Sequence, residues 1–233
     1  MTFTQLASGF RNLLVFIAMI ILLALPGCDS PAPPQNAEPV NEGKTTGAEG
    51  VIVAMGDSLT AGLGVAPTES YPAQLEKLLA ERGLNYRVVN AGISGETSSG
   101  AKARIDWVLK LNPAVVILET GANDGLRGID PKLVEENVEQ IIVRLKQEEI
   151  TVVLTGMMML TNLGKTYVTA FNDLYPRLAR QHEVVFMPFF LKDVAAEPTK
   201  NQADGIHPNP AGYQIIAANL LPYVEKAIQI ASD

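Results

Sequence analysis

Three side chains in this sequence have the chemistry to transfer an acyl group together: the hydroxyl of Ser58, the imidazole of His207 and the carboxylate of Asp204. A serine hydroxyl is a weak nucleophile until a base removes its proton, and an imidazole base works best when an acid fixes its tautomer and stabilises its charged form. Asp204-Gly205-Ile206-His207-Pro208 is the chain's one Asp-x-x-His, so acid and base share a short loop. Ser58 lies 146 residues before Asp204, in the stretch VIVAMGDSL from Val51 to Leu59, where an apolar run stops at Gly56-Asp57-Ser58. The run lacks polar alternation, which predicts a strand covered on both faces in a parallel sheet. Gly56 is expected to let the backbone turn sharply, leaving Ser58 exposed at the carboxyl end of that strand, the edge where open α/β sheets bind ligands. An ordinary turn serine is the competing reading, because Gly-Asp-Ser is common turn chemistry.

The elements that would bring these groups together are legible from Val51 onward, where short β-branched runs alternate with longer amphipathic stretches, the pattern of βαβ units. Strands are predicted at Val51 onward, Tyr86–Asn90, Pro113–Leu118, Thr151–Leu154 and Val184–Met187, with the very apolar third at the sheet's centre. Helices are predicted at Tyr71–Arg82, Ser98–Lys110, Asp130–Glu148, Tyr167–Gln181 and Asn209–Ile230, the last kinked or split by Pro222. Val134, Val138, Ile141, Ile142 and Leu145 form one helical stripe, and Trp107 is expected to pack inward. Polar, glycine-containing segments follow the strand ends: Ala91 to Thr97, Glu119 to Gly125, and Gly156 before Met157-Met158-Met159-Leu160. Backbone N–H groups of such a glycine loop can face a ligand. The methionine run either fills the core or lines an apolar pocket. His182 is expected at the surface.

With 233 residues, 47% hydrophobic and 18% charged, the chain can bury one substantial core. Its formal charge of −7 and lack of a Lys/Arg stripe argue against a nucleic-acid partner. One cysteine and two histidines allow neither an intramolecular disulfide nor a His/Cys zinc cluster, so no metal is expected. Residues 1–27 have a signal-peptide layout: Arg11, the unbroken apolar stretch Leu13 to Leu25, then Pro26-Gly27. An uncleaved anchor is the alternative, although the apolar stretch is short for a bilayer span. Residues 28–49 comprise Cys28 and a Pro-, Gly-, Asn-, Glu- and Thr-rich linker with too little apolar surface to order itself, reaching about 25 Å as a flexible coil. Removal of residues 1–27, whose single charge is Arg11, would take the charge from −7 to −8. The folded domain is expected over residues 50–233. Leu25-Pro26-Gly27-Cys28 resembles a bacterial lipobox, which implies lipidation of Cys28 and a membrane-tethered periplasmic protein, and Asp29 matches a rule for retention at the inner membrane; a secreted form is the alternative.

Four separated blocks resemble the SGNH (GDSL) hydrolase family in order, covering essentially residues 51–230: Gly56-Asp57-Ser58-Leu59, Ile93-Ser94-Gly95-Glu96-Thr97, Gly121-Ala122-Asn123-Asp124 and Asp204-Gly205-Ile206-His207-Pro208. Asn123 to Gly128 and Pro188-Phe189-Phe190 are similar to its bacterial thioesterase, lysophospholipase and arylesterase branch. The resemblance implies a three-layer α/β/α sandwich with a five-stranded parallel sheet of the flavodoxin-like type. It implies Ser58, Asp204 and His207 as catalytic residues and an oxyanion hole made by the Ser58 and Gly95 N–H groups and the Asn123 amide. Gly92 competes with Gly95, but Ser94, Glu96 and Thr97 favour Gly95. Asp57, Gly125, Leu126, Met157, Met158 and Ile206 are the expected substrate contacts, and the loop Gly125 to Gly128 is expected to rearrange around an acyl chain. No cofactor is required.

The function implied is hydrolysis of small esters, acyl thioesters or lysophospholipids by a monomer through an acyl-enzyme. Carbohydrate O-deacetylation and a non-catalytic binding lipoprotein of the same fold are the alternatives. The Gly-x-Ser-x-Gly elbow of the α/β-hydrolases is absent, and no Lys-Ser or Lys-Thr follows Gly56 to Gly64 as a phosphate-binding loop requires.

Overall fold

The computed structural model describes residues 47–159 and 163–233. The apolar segment, Cys28, most of the linker and Leu160 lie outside the described residues. Gly47 and Glu49 are already tied to the domain: the carbonyl of Gly47 accepts from the Asn85 side chain, and the Glu49 N–H donates to the Asn85 carbonyl at 2.7 Å.

Five strands form one parallel sheet, β1 (Gly50–Gly56), β2 (Tyr86–Gly92), β3 (Val115–Leu118), β4 (Thr151–Thr155) and β5 (Val185–Met187), in the order β2-β1-β3-β4-β5. The third strand is central, as its composition predicts. Ile52 to Met55 in β1 and Val115 to Leu118 in β3 are fully buried, which is why neither sequence alternates. Strand order reverses between β1 and β3, so their carboxyl ends frame the crevice in which doubly wound sheets bind ligands.

Helices cover both faces. On one, α2 (Tyr71–Glu81) packs against the long closing helix α8 (Pro210–Ser232); on the other lie α3 (Ser98–Ala103), α4 (Ile105–Leu109), α6 (Pro131–Gln147) and α7 (Lys165–His182). Two short helices, α1 (Ser58–Ala61) and α5 (Ala122–Leu126), start just beyond the ends of β1 and β3. The Val134 to Leu145 stripe of α6 is fully buried, as its spacing demands.

Four expectations need correction. The helix expected over Ser98–Lys110 breaks at Arg104, whose φ of −108° and ψ of 12° accompany a guanidinium drawn to Glu96 and the Gly56 carbonyl. Trp107 is 46% exposed rather than packed in the core, with the Arg104 guanidinium 6.0 Å from its ring centre. Helix α8 is not split at Pro222, which lies inside its span. Finally, His182 is mostly covered, its Nε2 lying 3.1 Å from a carboxylate oxygen of Glu139.

Candidate active site

The turn after β1 holds Ser58 through its neighbours. Asp57 caps α1, its Oδ1 accepting the Leu59 N–H at 2.9 Å, and Gly62 closes that single turn in the left-handed region at φ 77°. Ser58 therefore occupies the first helical position, where the backbone N–H has no intrahelical acceptor. Gly56 works differently from the sequence expectation. Its φ is not positive; a Cβ there would collide with the Thr60 hydroxyl and the Glu119 carboxyl, so glycine is required for space beneath the turn.

Across the crevice, His207 Nε2 lies 2.9 Å from Ser58 Oγ, and His207 Nδ1 lies 2.7 Å from Asp204 Oδ2. The other oxygen of Asp204 accepts the N–H groups of Ile206 at 2.9 Å and His207 at 3.0 Å. These donors, led by the His207 N–H and then its imidazole, hold the Asp204 carboxyl down at about 2. An acid ionised in this position calls for a proton on Nδ1, leaving Nε2 to accept from the serine. Gly205, at φ 70°, lets the loop double back. Its base is braced by Gln202, whose Nε2 donates to the carbonyls of Pro208 at 2.9 Å and Leu63 at 2.7 Å, and by Asn209, which caps α8.

Three loops meet beside Ser58. Gly95 sits at φ 79° with its carbonyl accepting from Arg127 at 2.9 Å, and the Ile93 N–H donates to the Gly56 carbonyl at 2.9 Å. Asn123, in the first turn of α5, donates one amide N–H to Asp57 Oδ2 at 2.9 Å, which leaves the other for a ligand. Among the described residues the Ser58 and Gly95 N–H groups donate to no backbone carbonyl. Sequence reasoning missed the ties beneath these loops. Asp124 accepts the Ser98 N–H at 2.8 Å and hydroxyl at 2.7 Å, joining the asparagine loop to the helix that follows Gly95. Arg104 grips both carboxylate oxygens of Glu96 at 2.7 and 2.6 Å and reaches the Gly56 carbonyl at 3.3 Å. Buried charges need partners, so a polar residue at a strand end or inside a short helix was the available signal.

Of the expected substrate contacts, Leu126, Met158 and Ile206 are at least half exposed, in segments that follow the carboxyl ends of different strands. Leu63 and Ile93, in the segments that follow β1 and β2, are exposed as well. Asp57 is not a substrate contact: it is 1% exposed, and its carboxylate is committed to Leu59 and Asn123. Met157 belongs to the core at 3% exposure, and Gly125 is buried beneath the Met159 side chain. Among the described residues no cluster of three or more His, Cys, Asp or Glu could hold a metal, and no helix is long and apolar enough to cross a membrane.

A doubly wound parallel sheet with serine, imidazole and carboxylate hydrogen-bonded in series at its carboxyl edge defines the class, a serine ester hydrolase. Residues 54–215 match the GDSL-like lipase/acylhydrolase family, and the chain belongs to that family. It is 39% identical over 172 residues to Esterase TesA of Pseudomonas aeruginosa, covering 73% of this chain and 86% of that protein. It is 37% identical over 167 residues to thioesterase 1/protease 1/lysophospholipase L1 of Escherichia coli strain K12, covering 71% of this chain and 79% of that one. The crystal structure of TesA superposes with a TM-score of 0.73 at 38% identity, over 76% of this chain and 99% of the other.

Proposed function

We propose that this protein hydrolyses carboxylic esters and acyl thioesters, lysophospholipids among them, through an acyl-enzyme on Ser58. The observation that carries the reading is the continuous series Ser58 Oγ, His207 Nε2, His207 Nδ1, Asp204 Oδ2, with links of 2.9 and 2.7 Å. His207 takes the Ser58 proton as Oγ attacks the acyl carbonyl, and the imidazolium formed is stabilised by Asp204. The same proton then goes to the departing alcohol or thiol. Water, deprotonated by His207, attacks the acyl-enzyme, and Ser58 recovers its proton when the acid leaves.

Negative charge on the carbonyl oxygen is met by the N–H groups of Ser58 and Gly95 and by the second amide N–H of Asn123. Each such donor typically contributes about 10² to 10³ in rate, because it is fixed before the charge develops. The exposed Leu126, Met158 and Ile206 supply apolar surface for an acyl chain, which supports substrates longer than acetyl. The names of the relatives, an esterase and a thioesterase/lysophospholipase, support the same substrate range. The segment before residue 47 supports a periplasmic location with the domain tethered through lipid on Cys28.

Hydrolysis of p-nitrophenyl esters from acetyl to palmitoyl tests the reading. A rate optimum at medium or long chains upholds it, activity confined to acetyl points to a deacetylase, and no activity refutes it. Incorporation of labelled palmitate into the parent but not Cys28→Ser tests the tether.

A further inference from the structure

Glu119 follows the last residue of β3, is fully buried and has no part in the reaction just described. Its carboxyl lies directly beneath the turn that carries Ser58. Oε2 accepts the Asp57 N–H at 3.2 Å and the Thr60 hydroxyl at 2.9 Å, and the Tyr71 hydroxyl lies 3.2 Å from Thr60 Oγ1. The missing side chain of Gly56 makes room for this carboxyl. Ser58 thus lies between two residues bonded to one oxygen atom. We propose that Glu119 is a positioning residue for Ser58: by holding residues 57 and 60 from below, its carboxyl sets where the Ser58 hydroxyl and N–H point.

The environment demands that the group be a neutral acid. Neither Glu119 nor Asp57 joins an ion pair among the described residues. Glu119 Oε1 has no hydrogen-bond partner there, an arrangement a buried carboxylate would tolerate badly. Burial, and then the neighbouring Asp57 charge, push its carboxyl well above the ordinary range. Burial raises the Asp57 carboxyl too, but the Leu59 N–H and the Asn123 amide oppose that shift, so of the two acids Asp57 is the better supported as an anion. The other groups bearing on Glu119 and Asp57 are the hydroxyls of Tyr71, Tyr175 and Tyr213, which crowd the site without charge, and the His207 imidazole. A neutral Glu119 can hold the turn without repelling Asp57, and Asp57 in turn holds Asn123. Because active-site displacements of about 1 Å cost roughly 10² in rate, a clamp at this point acts on turnover more than on substrate affinity.

The inference rests on Ser58 being the nucleophile, and its test separates the two. Full-length parent, Glu119→Gln and Glu119→Ala are compared on p-nitrophenyl butyrate, with folding checked by circular dichroism. Glutamine keeps an uncharged acceptor oxygen, so its kcat should stay within about threefold of the parent, while alanine should lose about 10² in kcat with KM little changed. Infrared difference spectra between parent and Glu119→Gln at neutral pH should contain the carbonyl band of a protonated carboxylic acid. A folded Glu119→Ala with parental kcat, a folded Glu119→Gln as slow as alanine, or absence of the band overturns the inference. Should the alanine variant not fold, Thr60→Val decides: a kcat lowered about tenfold upholds the clamp and an unchanged kcat overturns it. A parent inactive on every ester refutes the proposed reaction instead, and the clamp is then judged by whether Glu119→Ala, or Thr60→Val if that variant does not fold, slows fluorophosphonate labelling of Ser58.

Discussion

The amide of Asn123 donates to the carboxylate of Asp57 at 2.9 Å, so the residue just before Ser58, the proposed nucleophile, orients a donor from beyond β3. The proposed nucleophile and the proposed oxyanion hole are therefore one mechanical unit. Asn123→Ala should lower kcat by about 10² to 10³ with little loss of stability. Asp57→Ala should lower kcat and also cost about 0.5–2 kcal/mol as a lost helix cap. In a double-mutant cycle on kcat the two should be strongly non-additive, since each removes the same bond.

Gly56→Ala addresses the space under the turn. The added methyl would meet Thr60 and Glu119 side chains and the Glu119 carbonyl. Overpacking of this kind costs about 1–3 kcal/mol, measurable by urea denaturation, and the accompanying shift of Ser58 should depress kcat beyond what partial unfolding explains.

Asp204 gives an acid-side prediction. Its folded carboxyl titrates at about 2, below the ordinary 3.8, so its stabilising contribution is complete above the ordinary value and is lost as pH falls from there through about 2. Asp204→Asn should accordingly be less stable than the parent at pH 6 and converge with it in acid denaturation. Its kcat should fall by about 10⁴, because an amide cannot stabilise the imidazolium and favours the wrong tautomer.

For Glu119 the sign is opposite. Its folded value is raised above the ordinary 4.5, so the folded protein keeps a proton that the unfolded chain releases, and stability declines as pH rises above about 4.5. Glu119→Gln should flatten that decline by up to about 1.4 kcal/mol per pH unit, read from chemical denaturation between pH 5 and pH 8.

Periodicity and apolar runs were enough to read the sheet, its central strand and the buried stripe of α6, because burial on one or both faces leaves a repeat in the chain. The pairing of Asp204 with His207 was legible for a different reason: only two residues lie between them, whatever the fold. What could not be read were contacts that exist only after folding. Arg104 breaks a well-patterned helix to reach Glu96 and the Gly56 carbonyl, and nothing local in Ser98 to Lys110 announces that partner. Glu119 and Asp57 are ordinary polar residues in the sequence and become buried neighbours only when β1 and β3 pair. Gly56 was legible as necessary but for the wrong reason, since a turn and a close approach leave the same letter.

The most direct test of the central claim is ester hydrolysis by full-length parent and Ser58→Ala at equal concentration, both verified as folded. The account predicts that the parent turns over p-nitrophenyl butyrate and Ser58→Ala loses at least about 10⁴ of that rate, with fluorophosphonate labelling abolished at the same position. A folded Ser58→Ala that hydrolyses the ester at the parental rate would contradict it.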